Sequence, residues 1–492
     1  MGNRVIPNCG NQAACRKRLL RVVQTLLSAG KVGAIGISLA ATWPAYGQFL
    51  PNLYPFPNQT GFVETYNIKG DGIDLRGPFF QPLGSNGRSC ASCHRPAQGW
   101  SISTNELKQR FEFTKGLDPI FRPNDGSICD HGIDTSSVEG RRRAYRLLLN
   151  RGLIRIGLAV PATAEFNVLN VWNPYGCNDT ETLSMYRRPL PATNLRFLST
   201  VMWDGRESTP QTGTQKITYG TNPSDLRADL AQQAFDAVNG HAQGATPLTP
   251  EQQREIVEFE MGLATAQAYD YRAGSLDAKG ARGGPVVLGT RTRRAFFVGI
   301  NDPLGGNPLG TAFTPEIFSL FGAWADRYEE RNRERSRIVR GEALFNSKPI
   351  NITGVAGLND ALNIASIPGT CGTCHDALNV GNHSLSVPLN IGVSDTDSSL
   401  NVDYLPVFTL QNKTTLEIKT TTDPGRALVT GSWNDIGKVK GPVLRGLASR
   451  APYFHNGSAR SLNDVLEFYD KRFNIGFTPE EKKDLITFLN AL

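Results

Sequence analysis

The sequence predicts a loop-rich, helical protein built from two units in tandem. Glycine (50) and proline (30) are plentiful among the 492 residues, which favours many loops between short elements. One five-residue pattern, Cys-x-x-Cys-His, occurs at 90–94 and again at 371–375. Further along the chain, each copy is followed by the same kind of capped helix. The chain therefore uses one structural plan twice.

Each five-residue pattern has the spacing at which a c-type haem is attached. The two thiols add to vinyl groups of the porphyrin, and the adjacent histidine coordinates the iron. A zinc site would need further Cys or His ligands nearby, and a redox dithiol has no use for the histidine. The sequence therefore predicts two covalently bound c-type haems, held by Cys90, Cys93 and His94 and by Cys371, Cys374 and His375.

Residues 1–47 are typical of an export signal with cleavage after Gly47. Six basic residues come before the first acidic residue, Glu64, and lead into the small apolar run VGAIGISLAA. The alternative is an ordinary buried first helix. Without these six charges the formal net charge of +7 falls to +1, so the basic balance does not support nucleic-acid binding. No later run of eighteen apolar residues predicts a membrane span, so we expect a periplasmic protein.

The repeated helix has recognisable ends in both units. A Thr-Pro pair followed by Gln or Glu predicts a capping box at 249–252 and at 478–481. Apolar residues then recur on one face: Ile256, Phe259 and Leu263 in the first helix, and Leu485, Ile486, Phe488, Leu489 and Leu492 in the second. Between the units, residues 266–338 read as a Gly/Pro-rich linker that ends in a charged helix leading into RGEALF.

The first unit is longer than the second by an insertion. From haem histidine to helix cap the chain runs from 94 to 249 in the first unit and from 375 to 478 in the second, a difference of 52 residues. Most of the excess falls at about 110–190, which lacks clear periodicity. It is either a decorated loop that covers the first haem or a solvated insertion with no functional role. Cys129 and Cys177 within it could pair in an oxidising compartment, but the sequence does not show that they meet.

The order of several motifs carries a family resemblance over most of the chain. The two haem patterns are interleaved with MWDGR, RGEALF, LNIGV, DPGR and LRGLASRAPYFHNGS. This order resembles the bacterial di-haem cytochrome c peroxidase family, including its MauG branch. The resemblance implies an all-α fold of two cytochrome-c-like domains, over 48–265 and 339–492, joined by the linker. It also implies that the first haem reacts with peroxide and the second relays electrons.

The resemblance also assigns roles to individual residues. His94 and His375 match the proximal iron ligands, and Trp203 in MWDGR matches the tryptophan that carries electrons between the haems. The alternative for Trp203 is a core aromatic packed beside Met202. A calcium ion between the domains is a further cofactor that the resemblance allows.

The second axial ligand of the C-terminal haem separates branches of the family. Members that store an electron on this haem place a methionine fourteen residues after the histidine of YFH, where this chain has Tyr469. No methionine follows Met261. A tyrosine oxygen is a harder donor and should lower the haem potential, as in the MauG branch. Tyr469 is therefore the predicted ligand, with a core tyrosine as the alternative and His383 as a rival ligand.

The first haem needs a group that moves a proton between the two peroxide oxygens. The family supplies a glutamate from an NPxE-like segment, and this chain departs from that pattern. TNPSD puts Asp225 near that place, whereas aligning the following helix puts His241 in the pocket. We favour His241 because imidazole both accepts and donates near neutral pH. A resting-state iron ligand and a surface histidine are the other readings of His241, and His131 is a weaker candidate.

Together these features predict a periplasmic di-haem peroxidase. It would reduce hydrogen peroxide with electrons from a small cytochrome or copper protein. One alternative is a MauG-like or rubber-oxygenase-like enzyme that oxidises a protein or an organic molecule. The other is a plain electron-transfer cytochrome, in which both irons carry two tight ligands and neither reacts with peroxide.

Overall fold

Short helices and strands alternate along the chain in the computed structural model, which describes residues 48–208, 223–290, 296–325 and 332–492. The predicted export signal, with its cleavage after Gly47, lies outside these residues. The helices that are described are α1 (Thr104–Thr114), α2 (Val138–Ala144), α3 (Arg146–Arg151), α4 (Pro223–Gly240), α5 (Pro250–Gly262), α6 (Pro285–Gly289), α7 (Arg333–Ser347), α8 (Asn359–Leu362), α9 (Ala427–Thr430), α10 (Leu462–Phe473) and α11 (Pro479–Asn490).

The all-α prediction is wrong, because the described residues also contain several antiparallel sheets. The strands are β1 (Phe49–Pro51), β2 (Phe56–Pro57), β3 (Gly61–Asn67), β4 (Gly72–Asp74), β5 (Ile154–Ala159), β6 (Phe166–Trp172), β7 (Thr182–Arg187), β8 (Leu263–Asp270), β9 (Gly274–Ser275), β10 (Ile350–Thr353), β11 (Ser366–Gly369), β12 (Val407–Asn412) and β13 (Ile418–Thr421). They pair in the orders β1-β4, β2-β3-β8-β9, β13-β12-β6, β5-β7 and β10-β11.

Strand β8 shows why the sequence pattern misled. Its sequence, LATAQAYD, is rich in helix formers, and Leu263 was expected on the face of the preceding helix. Instead α5 ends at Gly262 and Leu263 begins the strand, which pairs with β3 from Leu263 opposite Asn67 to Asp270 opposite Gly61. The strand is buried along almost its whole length. Pairing and burial therefore outweigh the local preference for helix.

The two predicted helix caps are confirmed. Helix α5 starts at a capping box formed by Thr249 and Gln252, and α11 starts at the equivalent box of Thr478 and Glu481. On α11, Leu485, Phe488 and Leu489 are buried. They pack in one core cluster with Phe345 of α7, the helix that carries RGEALF. Cys371 of the second haem motif lies against the same cluster.

The insertion at about 110–190 is not a loop. It includes α2, α3 and the strands β5, β6 and β7. Strand β6 pairs with β12 far along the chain, with Trp172 opposite Val407 and Phe166 opposite Asn412. Cys129 and Cys177 form a disulfide. The insertion is thus tied internally by a covalent bond and externally by a strand pairing.

Residues Leu50–Leu492 form one compact unit. The division into an N-terminal domain, a linker at 266–338 and a C-terminal domain stays a prediction. Among the residues that the structure describes, none of the helices has the length and apolar character needed to cross a membrane.

Candidate functional site

The first haem motif is held in a tight turn. Ser89 caps the turn Cys90–Ser92, and the backbone N–H of His94 donates to the carbonyl of Cys90 at 2.9 Å. His94 Nδ1 hydrogen-bonds the carbonyl of Trp100 at 3.0 Å, which leaves Nε2 available. Burial lowers the pKa of His94 to about 4, so the imidazole is neutral at pH 7. A neutral imidazole with a free Nε2 is the form that binds iron.

The second motif repeats this geometry. Thr370 caps the turn Cys371–Thr373, and His375 Nδ1 hydrogen-bonds the carbonyl of Gly381 at 2.6 Å. Gly381 has φ +81°, and a Cβ there would come within 2.8 Å of Leu444. Glycine is needed because an L side chain would be strained and crowded at this position. Burial also lowers the pKa of His375.

The four motif thiols fit covalent haem attachment. Cys90, Cys93, Cys371 and Cys374 are all free, whereas Cys129 and Cys177 in the same chain are paired. Each motif histidine also lies beside a phenylalanine, with ring centroids 6.3 Å apart for Phe79 and His94 and 6.2 Å for Phe345 and His375. The two thiols, the open imidazole nitrogen and the apolar neighbour together suit a c-type haem at each motif.

A large cleft lies beside the first motif. Its volume is about 1510 Å³, counting the part that is open to solvent. Cys90, Cys93 and His94 line it together with His241, Trp203 and Glu260. The insertion contributes Asp125, Ile154 and Ile156 to the wall. The cleft thus brings the haem-binding residues together with two of the three predicted catalytic residues.

The two residues predicted to move the peroxide protons, His241 and Asp225, lie in different places. His241 follows the last residue of α4 and lines the cleft, where its Nδ1 lies 2.5 Å from Asp125 Oδ2. Asp225 is in the first turn of the same helix and is not among the residues of the cleft wall. About sixteen residues of helix separate the two, roughly 24 Å along the axis. His131 is exposed and pairs with Asp130 of the insertion.

Trp203 is held by both halves of the chain. Its Nε1 donates to the carbonyl of Arg188 at 2.8 Å, and its own carbonyl accepts from the backbone N–H of Lys440 at 2.8 Å. The indole ring lies 6.0 Å from the ring of His455, the histidine of YFH. Trp203 therefore lies between the cleft and the APYFHNGS segment.

A buried ion-pair network fixes the loop that carries Trp203. Arg187 contacts Asp204 of MWDGR at 2.5 Å and Asp423 of DPGR at 2.7 Å, and all three side chains are almost fully buried. Burial raises the pKa of Asp204, but the charges of Arg206 and Arg187 outweigh it and lower the pKa overall. Because a buried charge is costly without its partner, this network defines the position of the loop.

Tyr469 lies close to the second haem motif. Burial raises the pKa of its hydroxyl, and the nearby thiols of Cys374 and Cys371 add to the effect. Its ring packs beside Phe473 and Phe454, with ring centroids 6.3 and 6.2 Å away.

The rival ligand His383 is also buried. Its Nδ1 lies 3.5 Å from Asp376 Oδ1, so it packs against the residue that directly follows His375.

Three residues of the cleft wall were not predicted from the sequence. Glu260 is 6% exposed, its Oε2 has no hydrogen-bond partner among the described residues, and burial raises its pKa to about 8. In the sequence, a carboxylate next to Phe259 on the apolar face of α5 could have indicated this buried group. Burial lowers the pKa of Lys440 to about 7, against the opposing charge of Asp204. Asp125 comes from the insertion, where no sequence pattern marks it.

Sequence comparisons find peroxidases. The chain is 37% identical to cytochrome-c peroxidase IdrP1 of Denitromonas iodatirespirans over 81 residues, a segment that makes up 14% of this chain and 22% of that protein. It is 28% identical to IdrP2 of the same organism over 189 residues, which cover 36% of this chain and 48% of that protein. It is 25% identical to cytochrome c551 peroxidase of Pseudomonas aeruginosa over 123 residues, which cover 25% of this chain and 30% of that protein. The resemblance to the di-haem cytochrome c peroxidase family is confirmed.

The similarity to cytochrome c peroxidases implies c-type haem as the cofactor, and the relatives' names support an oxidoreductase. The matched segments span less than half the length of each of these relatives. A search against models of known protein families gives no match. Among solved structures, a MauG-like protein associated with microbial copper homeostasis aligns over 92% of this chain and 95% of its own, at 14% identity and a TM-score of 0.34.

Proposed function

We propose that the chain is a periplasmic di-haem c-type oxidoreductase that reduces hydrogen peroxide. The observation that carries the proposal is the cleft, because one cavity is lined by the first haem motif, His241 and Trp203. A peroxidase needs an iron site, a group that moves protons and a route for electrons, and these residues supply all three. The reaction consumes two electrons and two protons for each peroxide and yields two waters.

His241 supplies the proton transfer in this proposal. With Nδ1–H donating to Asp125, Nε2 is the ring nitrogen left to accept and donate protons in the cleft. Nε2 takes the proton from one peroxide oxygen and delivers it to the other, which leaves as water. The haem held by His94 supplies the redox chemistry at this position. Ile154 and Ile156 add apolar side chains to the wall of the same cleft.

Trp203 supplies the electron route between the two sites. Its indole lies at the cleft and 6.0 Å from His455, which belongs to the C-terminal part of the chain. His375 and Tyr469 would hold the second haem, which would supply a redox centre for electrons that a small cytochrome or a copper protein donates. The proposal includes a calcium ion between the domains, on the resemblance alone.

The test is peroxide-dependent oxidation of a reduced small c-type cytochrome by the fully haem-loaded protein. Reactions start from both the oxidised and the half-reduced enzyme. We expect turnover that falls by about 100-fold or more in His241→Ala, the usual size of a general acid–base contribution. The matched control is His131→Ala, whose exposed side chain lies outside the cleft wall, and it should keep wild-type turnover.

Absence of turnover from both starting forms would overturn the proposal. In that case two irons with tight ligands and spectra unchanged by peroxide would establish the electron-transfer cytochrome instead. Turnover with equal rates in His241→Ala and wild type would retain the peroxidase and remove His241 from its mechanism.

A second candidate function is oxidation of a protein or organic molecule, as in the MauG branch. The observation that favours it is the placement of Tyr469 beside the thiols of the second motif, in a chain without a methionine after Met261. Product analysis by mass spectrometry, with peroxide and candidate organic substrates, distinguishes the two functions. Substrate oxidation without any oxidation of the cytochrome donor would favour the second.

A further inference from the structure

The insertion places a carboxylate against the residue that the proposed function uses for proton transfer. Asp125 Oδ2 lies 2.5 Å from His241 Nδ1, although 116 residues separate them in sequence. The carboxylate side chain is only 8% exposed, whereas the imidazole is 37% exposed. His241 is thus held through Nδ1 by a buried carboxylate of the insertion, while its own side chain stays partly exposed.

Asp125 is itself held by a buried arginine. Its second oxygen forms an ion pair with Arg88, whose side chain is 3% exposed. Arg88 also donates to the carbonyls of Pro119 at 2.9 Å and Ile120 at 2.6 Å. Burial raises the pKa of Asp125, but the hydrogen bond from His241 and the charge of Arg88 lower it overall. The carboxyl is therefore ionised and can act only as an acceptor.

The backbone of His241 is fixed by the same region. Its carbonyl accepts from Asn86 Nδ2 at 2.8 Å and from Arg88 at 3.1 Å. Asn124, the neighbour of Asp125, donates to the carbonyl of Gly240 at 3.0 Å. Both the main chain and the ring of His241 are therefore positioned by the segment just before the haem motif and by the insertion.

The pairing differs from that of the two proximal histidines in one respect. His94 and His375 donate Nδ1–H to neutral backbone carbonyls, whereas His241 donates to a carboxylate. A carboxylate partner fixes the tautomer, makes Nε2 more basic and stabilises the imidazolium that forms when Nε2 takes a proton. A carbonyl does the first of these but gives less of the other two.

We propose that Asp125 is a positioning residue for His241 and that the insertion serves to bring it to the cleft. This inference rests on the proposed function, since it assumes that His241 moves the peroxide protons. Asp125 touches neither peroxide nor haem in the proposal. It acts through the ring of His241 alone.

The test is a double-mutant cycle on the haem-loaded protein. The rate constant for reaction with peroxide is measured by stopped flow for Asp125→Asn, His241→Ala and the double variant. We expect Asp125→Asn to lower it by about 10- to 100-fold, the usual effect of removing the carboxylate partner of a functional histidine. In the His241→Ala background the same substitution should have no further effect, because its route of action is gone. Asp125→Glu should recover part of the rate, since it restores a carboxylate.

Two controls keep the inference falsifiable. Asp130→Asn removes an exposed carboxylate from the same insertion and should leave the rate unchanged. Circular dichroism and haem content of each variant report whether the insertion still folds. Equal losses from Asp125→Asn in the wild-type and His241→Ala backgrounds would show a merely structural role and overturn the inference. A wild-type rate in His241→Ala would instead remove the mechanism on which the inference rests, so the two failures are distinguishable.

Discussion

Replacing Glu260 by glutamine should make the free energy of unfolding less sensitive to rising pH. Glu260 is buried in the cleft wall on α5, and burial raises its pKa from 4.5 to about 8. Below pH 4.5 the carboxyl is protonated in both the folded and the unfolded chain. As the pH rises from there to 8, the unfolded chain loses this proton first, so the free energy of unfolding falls. Above about pH 8 the free energy of unfolding falls no further through this group.

The size of the effect follows from the pKa difference. A difference of about 3.5 between the folded and unfolded states corresponds to roughly 5 kcal/mol when the full range is crossed. Between pH 5 and pH 8, the wild-type protein should lose about 3 to 4 kcal/mol relative to Glu260→Gln, because part of the titration lies outside that interval. Glutamine keeps the shape and polarity of the protonated carboxyl and cannot ionise.

The assay is urea unfolding of the haem-loaded protein at several values of pH between 5 and 8. Glu255→Gln is the matched control, since Glu255 is exposed on the same helix and its carboxylate is in water in both states. The expected result is a gap between Glu260→Gln and wild type that widens with pH, with Glu255→Gln parallel to wild type. Parallel curves for all three proteins would refute the reasoning that the buried carboxyl is protonated in the folded state.

Three further predictions concern the relay, the second haem and the insertion. Trp203→Phe should preserve the reaction of the first haem with peroxide but slow oxidation of the donor at least about tenfold, since phenylalanine is far harder to oxidise; stopped-flow spectra separate the two steps. Tyr469→Phe should change the spectrum of the second haem and raise its reduction potential, and an unchanged spectrum would exclude ligation. Cys129→Ser with Cys177→Ser should lower the free energy of unfolding by about 4 kcal/mol, because a sequence separation of 48 is no longer bridged; urea unfolding measures it.

Local sequence patterns were sufficient for the haem motifs and the capped helices. The Cys-x-x-Cys-His spacing is a covalent requirement, and the hydrogen bonds from His94 and His375 leave Nε2 free as that chemistry needs. The capping boxes at Thr249 and Thr478 use hydrogen bonds within four residues. Interactions of such short range are encoded in the residues that make them.

The all-α prediction failed where pairing is long-range. The segment LATAQAYD forms a strand because β3, about two hundred residues earlier, offers a complementary edge. The insertion becomes ordered because β6 finds β12 and because Cys129 finds Cys177. Neither partner can be recognised from local periodicity, since the preference for a strand depends on what lies beside it.

In the candidate site, too, some features follow from local sequence and others only from the folded structure. Short stretches of sequence indicate the cofactor type, the proximal histidines and a buried carboxylate on an apolar helix face. No such stretch indicates the environment of His241, because Asp125 and Arg88 reach it from separate segments of the chain. The placement of Asp225 at the far end of α4 likewise depends on how that helix packs. Covalent spacing and helix capping act over a few residues, whereas the charge and hydrogen bonding around a reactive group depend on contacts that exist only after the chain has folded.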